Sequence, residues 1–164
     1  MSAVGPRGHA GATTSSHALV ALALALSALA PSAGAQRRPA DTDAIALVKL
    51  GVQVIRKDGA AKAYARINDH DGPFASRDLY LVVTSMDGVV LASGANARIV
   101  GKNLLDLKDI DGKPFVRERV ELARTQPSFW QQYQYIRPTT GRIEPKRAYC
   151  ERLRESVVCS GVYD

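Results

Sequence analysis

A chain of 164 residues with a formal net charge of +6 is long enough for one compact domain with a real core, and for little more. Its 22 basic and 16 acidic side chains are, Arg7 apart, interleaved from Arg37 onward. That argues against the concentrated basic face of a nucleic-acid binder, while attraction to acidic ligands or anionic headgroups stays open.

In chain order, the first signal is a leader. "ALVALALALSALA", residues 18–30, is apolar except for Ser27 and follows a weakly basic start at Arg7 and His9. Ala33-Gly34-Ala35 has the small-x-small form of a signal-peptidase site. The apolar run is short of the roughly twenty residues that cross a bilayer core. We expect residues 1–35 to be a signal peptide cleaved after Ala35, residues 36–43 a short flexible N-terminus, and residues 44–164 the folded domain, placed in the periplasm or secreted.

Asp41, Thr42 and Asp43 offer helix caps, and Ile45, Val48, Val52 and Ile55 recur at helical spacing. Gly59 reads as a C-terminal cap or kink, with a shorter helix resuming in "AAKAYARIND". The cluster "NDHDGP", residues 68–73, is a turn. The period then changes to two: "DLYLVVTSM" meets "VVLA" across Asp87-Gly88, a strong hairpin signal. After the loop-rich "SGANARIVGKNLLDLKDIDG", the stretch "KPFVRERVELAR" reads as a helix with Pro114 in its first turn. Three strands complete the order: "SFWQQYQYI", a turn at "RPTTG", then "KRAYCERL" and "SVVCSGVY". The fold expected is α+β, a five-stranded antiparallel sheet with a long N-terminal helix on one face.

Both cysteines fall in the last hairpin. If it turns at Arg154-Glu155, Leu153 pairs with Ser156, and Cys150 stands opposite Cys159 at a non-hydrogen-bonded position where side chains come closest. In an exported protein that pair reads as a structural disulfide. Arg-Glu is not a favoured turn pair, and buried thiols are the competing reading. The C-x8-C spacing without nearby histidine is poor metal chemistry.

Nothing in the chain has the pattern of a catalytic site. His70 lies in a turn, and Ser93 has neither a histidine base in sequence nor a nucleophile-elbow motif. Asp106, Asp109 and Asp111 fail the EF-hand spacing: with Gly112 at the sixth position, the first falls on Leu107. Asp109 or Asp111 is better read as a helix cap. The glycines of "GANARIVGKN" lack P-loop order. No enzyme activity, metal or cofactor is expected.

The ordered set "GPF…DLYLVVTSMDGVVLA…IVGKNLLDLKDIDGKPFV", "W-x-x-Y" and "GRIEPKRAY…VVCSGVY" resembles the single Cache domains of type 2, extracytoplasmic relatives of PAS-type folds, over roughly residues 44–163. The resemblance implies a PAS-like sheet with a helical pocket loop and a sensor module for a small organic ligand, often a carboxylate or an amino acid. It places ligand contacts at Tyr80, Trp130, Tyr133, Lys146 and Tyr149, to which Tyr135 of the same strand is added as a candidate, and puts Ser93 where the family often has histidine. A buried carboxylate needs one cation and one or two hydroxyl donors, which Lys146 and the tyrosines supply. Strand parity objects to the full set: Trp130 alternates with Tyr133 and Tyr135, and Lys146 with Tyr149. Each aromatic also reads as core, and Lys146 as a surface cation. The expectation is a free-standing exported ligand-binding domain signalling to a membrane-bound sensor kinase or transporter. The alternative is a Cache fold without an open pocket that docks on such a partner.

Overall fold

The computed structural model describes residues 39–164, so the expected signal peptide and its cleavage site lie outside the described residues. Among the described residues no helix is long and apolar enough to cross a membrane. Helix α1 spans Asp41–Asp58 and α2 spans Ala60–Asn68. The break is Gly59, whose φ of 81° suits glycine far better than any other residue. Ala40 is the N-cap, and it has no side-chain oxygen to offer. Asp43 instead reaches back and accepts from the Ala40 N–H at 2.7 Å.

The strands are β1 (Ala75–Ser76), β2 (Leu79–Ser85), β3 (Val90–Ser93), β4 (Ser128–Ile136), β5 (Ile143–Leu153) and β6 (Ser156–Tyr163), with α3 (Phe115–Thr125) between β3 and β4. They form an antiparallel sheet in the order β1-β2-β6-β5-β4, with β3 also pairing β2. The expected sheet is present, extended by the two-residue β1, which is too short to leave a period in the sequence. β5 begins at Ile143 rather than Lys146 and so contains Pro145. That proline is tolerated because β6 ends opposite Lys146, and at Pro145 only β4 is a partner.

The β2–β3 connection differs from a two-residue Asp87-Gly88 turn. Gly88 N–H donates to Ser85 O at 3.0 Å, Ser85 N–H donates to Val89 O at 2.8 Å, and Gly88 has φ 85°. This is a three-residue loop, Met86-Asp87-Gly88, with glycine at the left-handed position. The sheet has two unlike faces. Val48 and Val52 of α1 pack with Phe74, Leu81, Val83 and Val158 on one, and Ala123 of α3 packs with Phe129, Cys150, Val157 and Cys159 on the other.

The last hairpin turns at Arg154-Glu155, pairs Leu153 with Ser156, and joins Cys150 to Cys159 in a disulfide. Arg154 tolerates a φ of 54° to make that turn. Removing both sulfurs (Cys150→Ser with Cys159→Ser) is expected to cost about 2–3 kcal/mol. Urea denaturation checks this, and an unchanged midpoint would show that the bridge contributes nothing.

Candidate functional site

The site is built on β5 where it runs between β4 and β6. Lys146 stands directly opposite Tyr133 on one side and Tyr163 on the other, so all three side chains leave the sheet on its α3 face. Its stem crosses β6 at Gly161. A Cβ added there would sit 2.7 Å from Lys146 Cε and 2.6 Å from Arg147 O, so glycine clears the path. The ammonium ends 3.8 Å from the Tyr80 ring centroid, 4.8 Å from Tyr163 and 5.8 Å from Tyr135. This is the geometry of a cation–π cage.

Lys146 is only 3% exposed, and among the described residues no carboxylate pairs with it. Burial holds its ammonium well below the ordinary lysine range; nearby Arg119 adds to the depression and Asp78 partly offsets it. Burial also pushes the phenols of Tyr80, Tyr133, Tyr135 and Tyr163 upward, so they are neutral. Tyr163 Oη donates to Ile136 O at 2.8 Å, which leaves Tyr80 to donate across the 3.2 Å Tyr80–Tyr163 contact.

Beside the cage opens a cavity of about 210 Å³ walled by Tyr80, Ser93, Asn96, Ile99, Tyr135 and Pro138. Its rim is held by a largely buried ion pair. Asp78 accepts from Arg137 Nε at 2.7 Å and from Thr139 N and Oγ1 at 3.0 and 2.9 Å, pinning the β4–β5 turn over the start of β2. Burial works against that carboxylate, but Arg137 and Thr139 prevail and hold it below the ordinary aspartate range. Asp109 secures the loop before α3. Its Oδ1 accepts from the amides of Asp111 and Lys113 at 3.0 and 2.9 Å, and its Oδ2 from Gln134 N at 2.9 Å. Desolvation raises its pKa and these amides lower it, with a net fall.

The structure brings Tyr80, Tyr133, Tyr135 and Lys146 together. Trp130 and Tyr149 lie apart from them, on the α1 face, their ring centroids 5.4 Å apart, with Trp130 39% exposed. Regular pairing of β4 with β5, without a bulge, enforces the alternation. The helix-cap reading of Asp109 and Asp111 is corrected, since Pro114 is the N-cap of α3 and Asp109 serves the loop. Asp106 pairs with Arg117. His70 Nδ1 lies 3.1 Å from Gly94 O, at the base of the loop after β3. Sequence reasoning missed Tyr163, Gly161, Asp78 and Arg119. The first was accessible, because continuing the Cys150–Cys159 register outward puts Tyr163 opposite Lys146.

A buried, unpaired lysine weakens the fold. The unfolded chain holds the Lys146 proton more tightly than the folded one. Its contribution therefore becomes more favourable as pH rises, from the lowered folded value toward the ordinary lysine value. Lys146→Met is expected to raise stability by about 1 kcal/mol at neutral pH and to flatten that alkaline slope, as urea titrations across pH will show. Gly161→Ala should instead cost about 1–3 kcal/mol through overpacking against β5, and an unperturbed midpoint would contradict the close approach.

Sequence and structure comparisons agree with this architecture. The chain matches the family Single Cache domain 2 over residues 41–164, while no curated protein sequence matches it. A methyl-accepting chemotaxis protein from Vibrio parahaemolyticus RIMD 2210633 is similar with a TM-score of 0.65 and 21% identity, over 74% of this chain and 86% of that one. A Cache chemosensory domain whose structure concerns carboxylic acid recognition gives a TM-score of 0.63 at 19% identity, over 74% and 91%. The periplasmic sensor domain of a chemotaxis protein gives 0.59 at 19%, over 73% and 86%. The chain belongs to the Single Cache domain 2 family, and its fold is that of a Cache sensor domain.

Proposed function

We propose that this domain senses a small organic acid outside the cytoplasm and passes the bound state to a membrane-bound partner such as a sensor kinase or transporter. The carrying observation is Lys146: a buried ammonium without a carboxylate partner among the described residues, held by tyrosine rings beside a cavity. A carboxylate arriving there supplies the missing anion, and the hydroxyl of Tyr135, a wall of the cavity, supplies a donor. An amino acid is the weaker candidate, because its ammonium also needs an acceptor. Asp78, the buried carboxylate nearest this chemistry, is committed to Arg137 and Thr139. At about 210 Å³ the cavity is smaller than the roughly 300 Å³ at which drug-sized pockets begin, so the ligand has few heavy atoms. One fold relative is a chemosensory domain described for carboxylic acid recognition, which accords with this reading. A disulfide suits an exported protein, as does the expected leader. The same observations weigh against the docking alternative, since a domain without a ligand has no use for a caged, unpaired lysine.

Thermal-shift and calorimetric titration of the purified protein with short monocarboxylic acids tests the proposal. Binding should stabilise the protein and be lost in Lys146→Gln, whereas a folded protein indifferent to every acid sinks the idea and favours docking. Because an incoming carboxylate favours the ammonium form that burial disfavours, binding should be coupled to proton uptake, and affinity should fall as pH rises toward the ordinary lysine range. Titration in buffers of different ionisation enthalpy measures that uptake directly.

A further inference from the structure

Lys146 is not the one unpaired cation on this face. Arg119 of α3 is also 3% exposed, and among the described residues it has no carboxylate partner. Its Nε donates to the neutral Gln131 Oε1 at 3.3 Å, and its guanidinium lies 5.8 Å from the Phe115 centroid and 5.6 Å from Tyr133. The neighbouring Glu118 is taken by Lys113 at 3.0 Å and by Gln131. Arginine cannot shed its proton to relieve this. Two buried basic side chains therefore share one face of the sheet, close enough that Arg119 disfavours the Lys146 ammonium. Leaving both without a counter-ion is costly.

The two cations flank a pair of rings. Arg119 lies against Tyr133, Tyr133 and Tyr135 stand 6.0 Å apart edge-to-face, and Lys146 Nζ lies 5.8 Å from Tyr135. Tyr135 is also a wall of the cavity, which joins the cavity to the ring pair that Arg119 and Lys146 flank. We propose that the ligand is a short dicarboxylate, with one acid group received at Lys146 and the other at Arg119 once the Tyr135 ring turns aside. Arg119 is then a specificity determinant that ranks diacids over monoacids. A planar guanidinium suits that role, offering two parallel donors to a carboxylate. This rests on the reading of Lys146 as the partner of a carboxylate.

Calorimetry with acids matched in carbon number, succinate against butyrate and glutarate against pentanoate, tests the inference on the unmodified protein. The diacid should bind about 10- to 100-fold more tightly, the range a charge-assisted hydrogen bond supplies. Arg119→Gln should bring the affinities of matched diacid and monoacid together, Arg119→Lys should retain part of the preference, and Lys146→Gln should abolish binding of both. Equal affinity for diacid and monoacid, or a preference that survives Arg119→Gln, overturns the role of Arg119 and leaves the monoacid reading standing. Failure of every acid to bind overturns both. If Arg119→Gln does not fold, the matched-acid comparison on the unmodified protein still decides the matter.

Discussion

The register of the β5–β6 hairpin governs the rest of the molecule. With Leu153 opposite Ser156, the disulfide closes between Cys150 and Cys159, and Lys146 falls opposite Tyr163. A slip of one residue would send Lys146 to the α1 face, among Val48, Val52, Leu81 and Val158. The turn chemistry alone is weak protection against such a slip, because Arg154 must adopt a left-handed backbone that glycine or asparagine would accept more readily. The covalent bridge holds the pairing, and the Gly161 gap holds the lysine stem within it. The β4–β5 pairing then adds Tyr133 on the opposite flank.

Charge on the α3 face follows a consistent logic. Asp78 and Arg137 are buried as a satisfied pair, with Thr139 completing the carboxylate and Glu144 accepting from the guanidinium at 2.9 Å. Asp109 is satisfied by three amides. Where structure alone is at stake, then, the chain supplies partners. Lys146 and Arg119 are different, being surrounded by rings and neutral amides, and aromatic faces compensate a cation only in part. Uncompensated polar groups concentrate where a protein binds something, because the missing partner is the ligand.

Much of the fold was legible because its signals are local. Gly59 broke the first two helices, the change to period two marked β2, and the alternating "SFWQQYQYI" ended as β4 with the same bounds. The two-residue β1 and the three-residue loop at Met86-Asp87-Gly88 were not, since two residues are too few to show a period and the loop length turns on whether Ser85 pairs with Val89, which composition does not specify. At the site, parity already separated Trp130 and Tyr149 from Tyr133, Tyr135 and Lys146. Arg119 looked like a solvated helix cation, yet Val116, Arg119, Val120 and Ala123 share one buried stripe of α3. A charged residue inside an apolar stripe is the pattern that would have revealed it. Asp78 offered no such sign, because its partner Arg137 comes from a turn 59 residues away.

The two faces of the sheet divide the work between them. On the α1 side, Phe74, Ile67, Leu81 and Val48 are completely buried and apolar, each burial contributing about 1.5–3 kcal/mol. That face can carry the stability of a domain whose other side holds two cations that oppose folding. The division also explains why Trp130 and Tyr149 sit where they do. Arg147, two residues before Tyr149 on β5, reaches Asp41 at the start of α1 at 2.8 Å and lies 5.9 Å from the Trp130 ring. Residues 146 and 147 of β5 thus face opposite ways: Lys146 into the cage, Arg147 to the first turn of the long helix. β5 carries both Lys146 and the residue that ties the sheet to α1, so one strand links the cage to the long helix.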